Sequence, residues 1–257
     1  MATQTTSASS TVVNYLSQLG FELKLECESS NFIDHKILHE GFWEPLVVGT
    51  LMGLVKPGNI CIDVGANAGY LTILMGALVG DSGRVLSFEP NQDILRKLER
   101  NLELNPDLQK RIAVFACGLG SSDAVMFVAP DTGSVNGNAS LSSSANELTT
   151  NAAEIKTLDS FQLNSVDLIK IDVEGMELEV LRGSKATIRR SLPIIIFETL
   201  TALPPAQHYP IELELQELGY NLYCLNPEDS TLKPVAYPFY PQEDTIAIHP
   251  VRFPKSA

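Results

Sequence analysis

Basic residues are scarce. The 257-residue chain has 18 Lys and Arg against 31 Asp and Glu, for a formal charge of −13 and a pI near 4.7. A partner held by pairing Lys and Arg with phosphates is disfavoured by that balance. The densest basic pairs, Arg96-Lys97 and Arg189-Arg190, fall in helix-like segments and read as solvated faces. No nucleic-acid partner is expected. Cysteine is equally sparse: Cys27, Cys61, Cys117 and Cys224 form no CxxC pair, and two of them sit in apolar, strand-like runs. That pattern points to buried, reduced thiols in a cytoplasmic protein. The histidines at 35, 39, 208 and 249 lack ligand spacing, so no metal is expected. No apolar run approaches membrane-spanning length. The opening MATQTTSASS has neither the basic nor the apolar region of a signal peptide. A cytoplasmic location without a membrane partner is the expectation.

With 44% apolar and 19% charged residues, the rest reads as an ordinary globular protein. Residues 1–40 are expected to form an N-terminal extension, loose over the first ten residues, with a half-buried strand at FELKLEC. Residues 41–257 read as one domain. A helix over Trp43–Val55 ends at the turn Lys56-Pro57-Gly58-Asn59. Strand-like runs (NICIDV, RVLSF, IAVFAC, VDLIKID, PIIIFE) then alternate with helical stretches, which argues for a parallel sheet covered on both faces. YNLYCL and DTIAIH have no helix between them, so they should pair antiparallel. Residues 131–153 are small, polar and aperiodic, and a loop of that length inside a domain is either disordered or functional.

The first strand runs into Asp63-Val64-Gly65-Ala66-Asn67-Ala68-Gly69-Tyr70, the place where an open parallel sheet holds its ligand. A dinucleotide fingerprint needs glycine at 65, 67 and 70, and only Gly65 fits. No GK[ST] follows, which removes a Walker loop as well. Asp63 puts negative charge where a pyrophosphate would lie. That suits S-adenosylmethionine, which carries a sulfonium and an ammonium, and glycine lets backbone approach its amino-acid part. Glu89 ends the second strand, where a carboxylate can accept from both ribose hydroxyls or favour a helix N-terminus.

Together with FWEP (42–45), KPGNICIDVGANAGYLT (56–72), RVLSFEPN (84–91), TLDSF (157–161), VDLIKIDVEGMELEVLRGS (166–184) and PIIIFE (193–198), these residues resemble the FkbM family of S-adenosylmethionine-dependent methyltransferases. The resemblance covers about residues 40–200. It implies a class I methyltransferase (Rossmann-like) α/β fold, a mostly parallel seven-stranded sheet with an antiparallel last strand. It also implies that Gly65, Ala66, Asn67 and Gly69 face the methionine end of the cofactor, with Asp63 behind them. Glu89 would then hold the ribose, and Gly118 and Leu119 would flank the adenine.

Methyl transfer to an alcohol needs the acceptor in line with the sulfur and a base or metal to take the proton. Lys170, Asp172 and Glu174 alternate at the end of the fourth strand, and Glu198 ends the fifth. Asp172 is the leading base or acceptor orienter, with Lys170 and Glu198 as further catalytic candidates. A structural Lys170–Asp172 or Lys170–Glu174 ion pair is the alternative. Glu174, Asn138 and Ser140 are candidates for acceptor contacts. Glu44 either meets the cofactor's ammonium or caps a helix. The Asp/Asn-Pro-Pro-aromatic run of base-amine methylation is replaced by Asp-Val-Glu-Gly. The resemblance therefore points to a hydroxyl on a sugar or other secondary metabolite, a small-molecule acceptor. A methyl ester formed on a carboxylate and, from another class, an NAD-dependent oxidoreductase remain as rivals.

Overall fold

The computed structural model describes residues 10–128, 141–142, 151–173, 175–198, 205–225, 231–235 and 244–252. A hairpin comes first, β1 (Ser10–Tyr15) antiparallel to β2 (Leu23–Glu28), followed by α1 (Phe32–Glu40). The Asn31 side chain caps α1, accepting from the amides of Ile33 and Asp34. After α2 (Pro45–Leu54), strands and helices alternate through β3 (Ile60–Val64), α3 (Tyr70–Leu78), β4 (Arg84–Phe88), α4 (Gln92–Glu103) and β5 (Ile112–Phe115). A side sheet follows, built from β6 (Gly118–Leu119), β7 (Ala124–Val128), β8 (Leu141–Ser142) and β9 (Asn151–Lys156). Alternation resumes with β10 (Leu168–Ile171), α5 (Glu177–Arg182), α6 (Lys185–Ser191), β11 (Ile194–Phe197) and α7 (Pro205–Glu217). β12 (Asn221–Leu225), β13 (Leu232–Pro234) and β14 (Thr245–Ile248) close the chain.

The main sheet runs β13-β12-β14-β11-β10-β3-β4-β5. Without its three-residue edge strand β13, it is the expected seven-stranded sheet. β14 is antiparallel to both neighbours, and the strands from β11 to β5 are parallel. From β3 the chain builds outward to β5, then returns to lay β10 on the other side of β3. The crevice at this switch point is where a ligand fits. Alternation along the strands feeds two cores. Cys61, Leu168 and Ile196 join α2, α3 and α4 on one face. Ile62, Ile169, Ile195 and Phe197 join α5, α6 and α7 on the other.

The described part of the N-terminal extension is integral to the first core, with Tyr15, Leu25, Cys27 and Ile37 all buried in it. Asn101 of α4 and Asn105 just after it dock the edge of β2. Asn101 accepts from Glu26 N (2.7 Å) and donates to Ala68 O (2.8 Å), while Asn105 pairs with both backbone groups of Lys24. An edge strand with its amides engaged is closed to further pairing. All four cysteines are free thiols; Cys27, Cys61 and Cys117 are buried. The 131–153 segment lies largely outside the described residues, Asn138 and Ser140 included. Its last three residues begin β9, which pairs antiparallel with β7. No described helix is long and apolar enough to cross a membrane.

Candidate active site

The turn after β3 is closed by its own hydrogen bonds. Gly65 N and Ala66 N both donate to Phe88 O, at 3.0 and 3.1 Å. Asn67 N donates to Glu89 Oε2 (3.0 Å), Ala68 N to Asn67 Oδ1 (2.7 Å) and Gly69 N to Ala66 O (3.0 Å). A pyrophosphate cradle needs amides aimed at the ligand. Every amide from Gly65 to Gly69 is engaged internally instead, which rules out that use. Gly65 has φ +80°, and a Cβ there would lie 1.9 Å from the Asp172 carbonyl oxygen, so only glycine allows the turn to pass β10's exit. Asn67 also holds a left-handed conformation, at φ +50°.

Behind the turn is a buried polar row. Strand register sets Lys170 beside Asp63, and Asp63 beside Ser87. Asp63 is 1% exposed; its Oδ2 accepts from Thr72 Oγ1 at 2.5 Å, and Thr72 meets Ser87 Oγ at 3.0 Å. The other oxygen, Oδ1, has no hydrogen bond and lies 3.9 Å from Lys170 Nζ. Burial pushes the Asp63 carboxyl up, and the Lys170 charge and Thr72 oppose it. Lys170 Nζ is 2.8 Å from Asp172 Oδ2. Burial alone would lower the Lys170 ammonium, but Asp172, Asp63 and Glu44 outweigh it and hold it well above its ordinary value.

A cavity of about 280 Å³ opens in front of the turn. Gly65, Ala66 and Asn67 line it together with Lys170, Asp172 and Glu198, so three strand ends and the turn meet in one space. Glu44 and Trp43 enter from the segment before α2, and Phe32 from α1. Glu198 is hydrogen-bonded to Asp172; burial, then Asp172, Asp244 and Glu44, push its carboxyl up to about 8. Asp244 is pushed up to about 7 by burial and by Glu44 and Asp172, against the pull of Lys170. Reading the sequence did not find Asp244. Its signal is topological: Thr245 pairs with Phe197 in an antiparallel strand, so the acid before β14 stands at the same sheet edge as the acid after β11. Glu44 is the N-cap residue of α2, with φ +46° and its carbonyl accepting from Val48 N, but its side chain makes no capping bond.

Five expected cofactor residues do not line this cavity: Asp63, Gly69, Glu89, Gly118 and Leu119. Gly69 packs against Leu98 of α4. Gly118 and Leu119 are buried in β6, paired with Ile155 and Lys156 of β9, and Gly118 packs against the Ile155 side chain. Glu89 is 6% exposed. Its oxygens accept from Asn67 N and Asn91 N, and each keeps a lone pair for another donor. Burial pushes the Glu89 carboxyl up to about 7 against those two amides. Glu174 lies outside the described residues. Among the described residues, no group of three or more His, Cys, Asp or Glu is arranged to hold a metal ion.

The strand order, with β14 antiparallel between β11 and β12, is that of the class I methyltransferase fold. The donor chemistry fits S-adenosylmethionine: carboxylates outnumber cations, and no free amide cradle awaits phosphate. Residues 63–222 match the methyltransferase FkbM domain, and the chain belongs to that family. The match removes the dinucleotide rival. The chain is 25% identical over 159 residues to the hexuronic acid methyltransferase AglP of Haloferax volcanii, covering 62% of this chain and 63% of that one. It is 29% identical over 147 residues to methyltransferase 1 of Beauveria bassiana, covering 49% and 58%. The chain thus spans less than two thirds of the length of either relative. A solved FkbM methyltransferase from Methylobacillus flagellatus KT is 20% identical, with a TM-score of 0.48 over 75% of this chain and 44% of that one.

Proposed function

We propose that this chain is an S-adenosylmethionine-dependent O-methyltransferase acting on a hydroxyl of a small molecule, a sugar or another secondary metabolite. The observation that carries it is the meeting of the glycine turn with Asp172 and Glu198 in one cavity. Gly65, Ala66 and Asn67 would hold the methionine end, Glu89 the ribose, and β6 the adenine side. When bound, the cofactor supplies an electrophilic methyl group on a sulfonium. Lys170 anchors one oxygen of Asp172 and so fixes its direction. Glu198, raised to about 8, is a stronger proton acceptor than an ordinary carboxylate and is placed to take the hydroxyl proton. Asp172 then orients the acceptor.

The hexuronic acid named for AglP is a sugar with both hydroxyls and a carboxylate. An acidic wall repels an anionic acceptor atom, so the lining favours a hydroxyl. The test is methyl transfer from labelled donor to a panel of neutral sugars and uronic acids, followed by mild alkali. A methyl ether survives that treatment, and a methyl ester does not; an alkali-labile product would sink the hydroxyl reading. With an active acceptor in hand, Glu198→Gln should reduce kcat about 100-fold or more while cofactor affinity stays within a few-fold.

A further inference from the structure

Glu44 faces the cavity with no basic side chain within ion-pairing distance among the described residues. Burial raises its carboxyl, and Asp172 and Asp63 add to that rise against the Lys170 charge and a hydrogen bond from Trp43. A carboxylate in such a place is costly unless a cation meets it. Its conformation is imposed from a distance. The Tyr70 hydroxyl accepts from Trp43 N at 2.8 Å and donates to Trp43 O at 2.9 Å, gripping both backbone groups of the preceding residue. Tyr15 of the N-terminal hairpin donates in turn to Tyr70 O at 2.8 Å, and the two rings lie 4.9 Å apart. Pinned in this way, Trp43 hands the chain to Glu44 in the left-handed region, directly before Pro45 starts α2. Left-handed backbone at a non-glycine residue persists only where its surroundings enforce it.

We infer that Glu44 is the ligand for the α-ammonium of the cofactor's amino-acid part, and that Tyr70 is the residue that positions it. The assignment rests on the methyltransferase reading and adds to it a binding residue outside the strand ends. Lys170 is committed to Asp172 and Asp63, and Asp172 and Glu198 are hydrogen-bonded to each other. Glu44 is the carboxylate on the cavity wall that is left for a second positive group. It comes from the segment before α2, whereas Asp172 and Glu198 follow β10 and β11, so the carboxylates of the wall reach the cavity from different elements.

The test compares S-adenosylhomocysteine with its desamino analogue, which keeps the carboxylate and lacks only the amine, by calorimetry or competition. Wild type should prefer the amine-bearing ligand by about tenfold or more, the worth of a charge-assisted hydrogen bond. Glu44→Gln should lose that preference by weakening S-adenosylhomocysteine alone, with the analogue held within twofold. Tyr70→Phe should lose part of it, while Tyr15→Phe should lose less. If Tyr70→Phe does not fold, Glu44→Gln alone decides, since its side chain is a near-isostere on the cavity wall. Equal loss for both ligands, or undiminished preference in Glu44→Gln, overturns the assignment and leaves the methyltransferase reading in place. A wild-type chain that binds neither ligand overturns that reading as well.

Discussion

The two sides of the crevice are built differently. On the turn side the backbone amides from Gly65 to Gly69 all have partners, and Asp63, Thr72 and Ser87 form a buried hydrogen-bonded row beneath them. On the other side Glu44, Asp172, Glu198 and Asp244 gather around Lys170, and burial pushes Glu44, Glu198 and Asp244 toward the neutral form. The first side is finished shape; the second is charge still to be matched. Shape must be set beforehand, because backbone that rearranges on binding loses affinity to the ordering. Charge can wait for its ligand, and a cationic ligand gains from finding it.

Three substitutions test that contrast. The largest effect belongs to Gly65→Ala, where the new methyl meets the Asp172 carbonyl oxygen and the backbone is left-handed. We expect a loss of stability of about 3 kcal/mol in chemical denaturation and no measurable nucleoside binding. Wild-type behaviour would mean that the turn is not rigid. Next is Thr72→Val, which deprives buried Asp63 of its donor at nearly constant volume. It should cost about 1–3 kcal/mol in the same assay and should change turnover much less than Glu198→Gln does. A variant as stable as wild type but catalytically dead would erase the distinction between the two sides.

The smallest effect is on pH dependence. Burial and the neighbours Asp172, Asp244 and Glu44 raise Glu198 to about 8, so its base form is present above that pH and lost below it. The profile of kcat/KM should therefore rise through about pH 8 and level off. Asp244→Asn removes one of the negative neighbours and should move the rise to lower pH. An inflection that stays put would remove Asp244 from the site.

Much of this architecture is readable from order along the chain. Apolar strands between amphipathic helices specify a covered parallel sheet, and the missing helix between YNLYCL and DTIAIH specifies the antiparallel strand. Glycines after a strand ending in Asp63 mark the turn, and acids at the ends of β10 and β11 mark the opposite wall. These are local signals, carried by periodicity and by the few residues that tolerate a left-handed backbone.

What the chain order does not carry is which distant residues share a strand register. Lys170 stands beside Asp63 because β10 was laid against β3, and no local pattern announces that pairing. Asp244 reaches the site only because β14 runs backward between β11 and β12. The N-terminal hairpin is tied to α4, the residues just after it and the cavity wall by Asn101, Asn105 and Tyr15, through partners that no local pattern announces. Composition and periodicity thus decide which elements form and what charge the molecule carries, since both act through neighbours in sequence. The strength and direction of each carboxylate depend on burial and on partners far away in the chain, and those exist only once the sheet has closed.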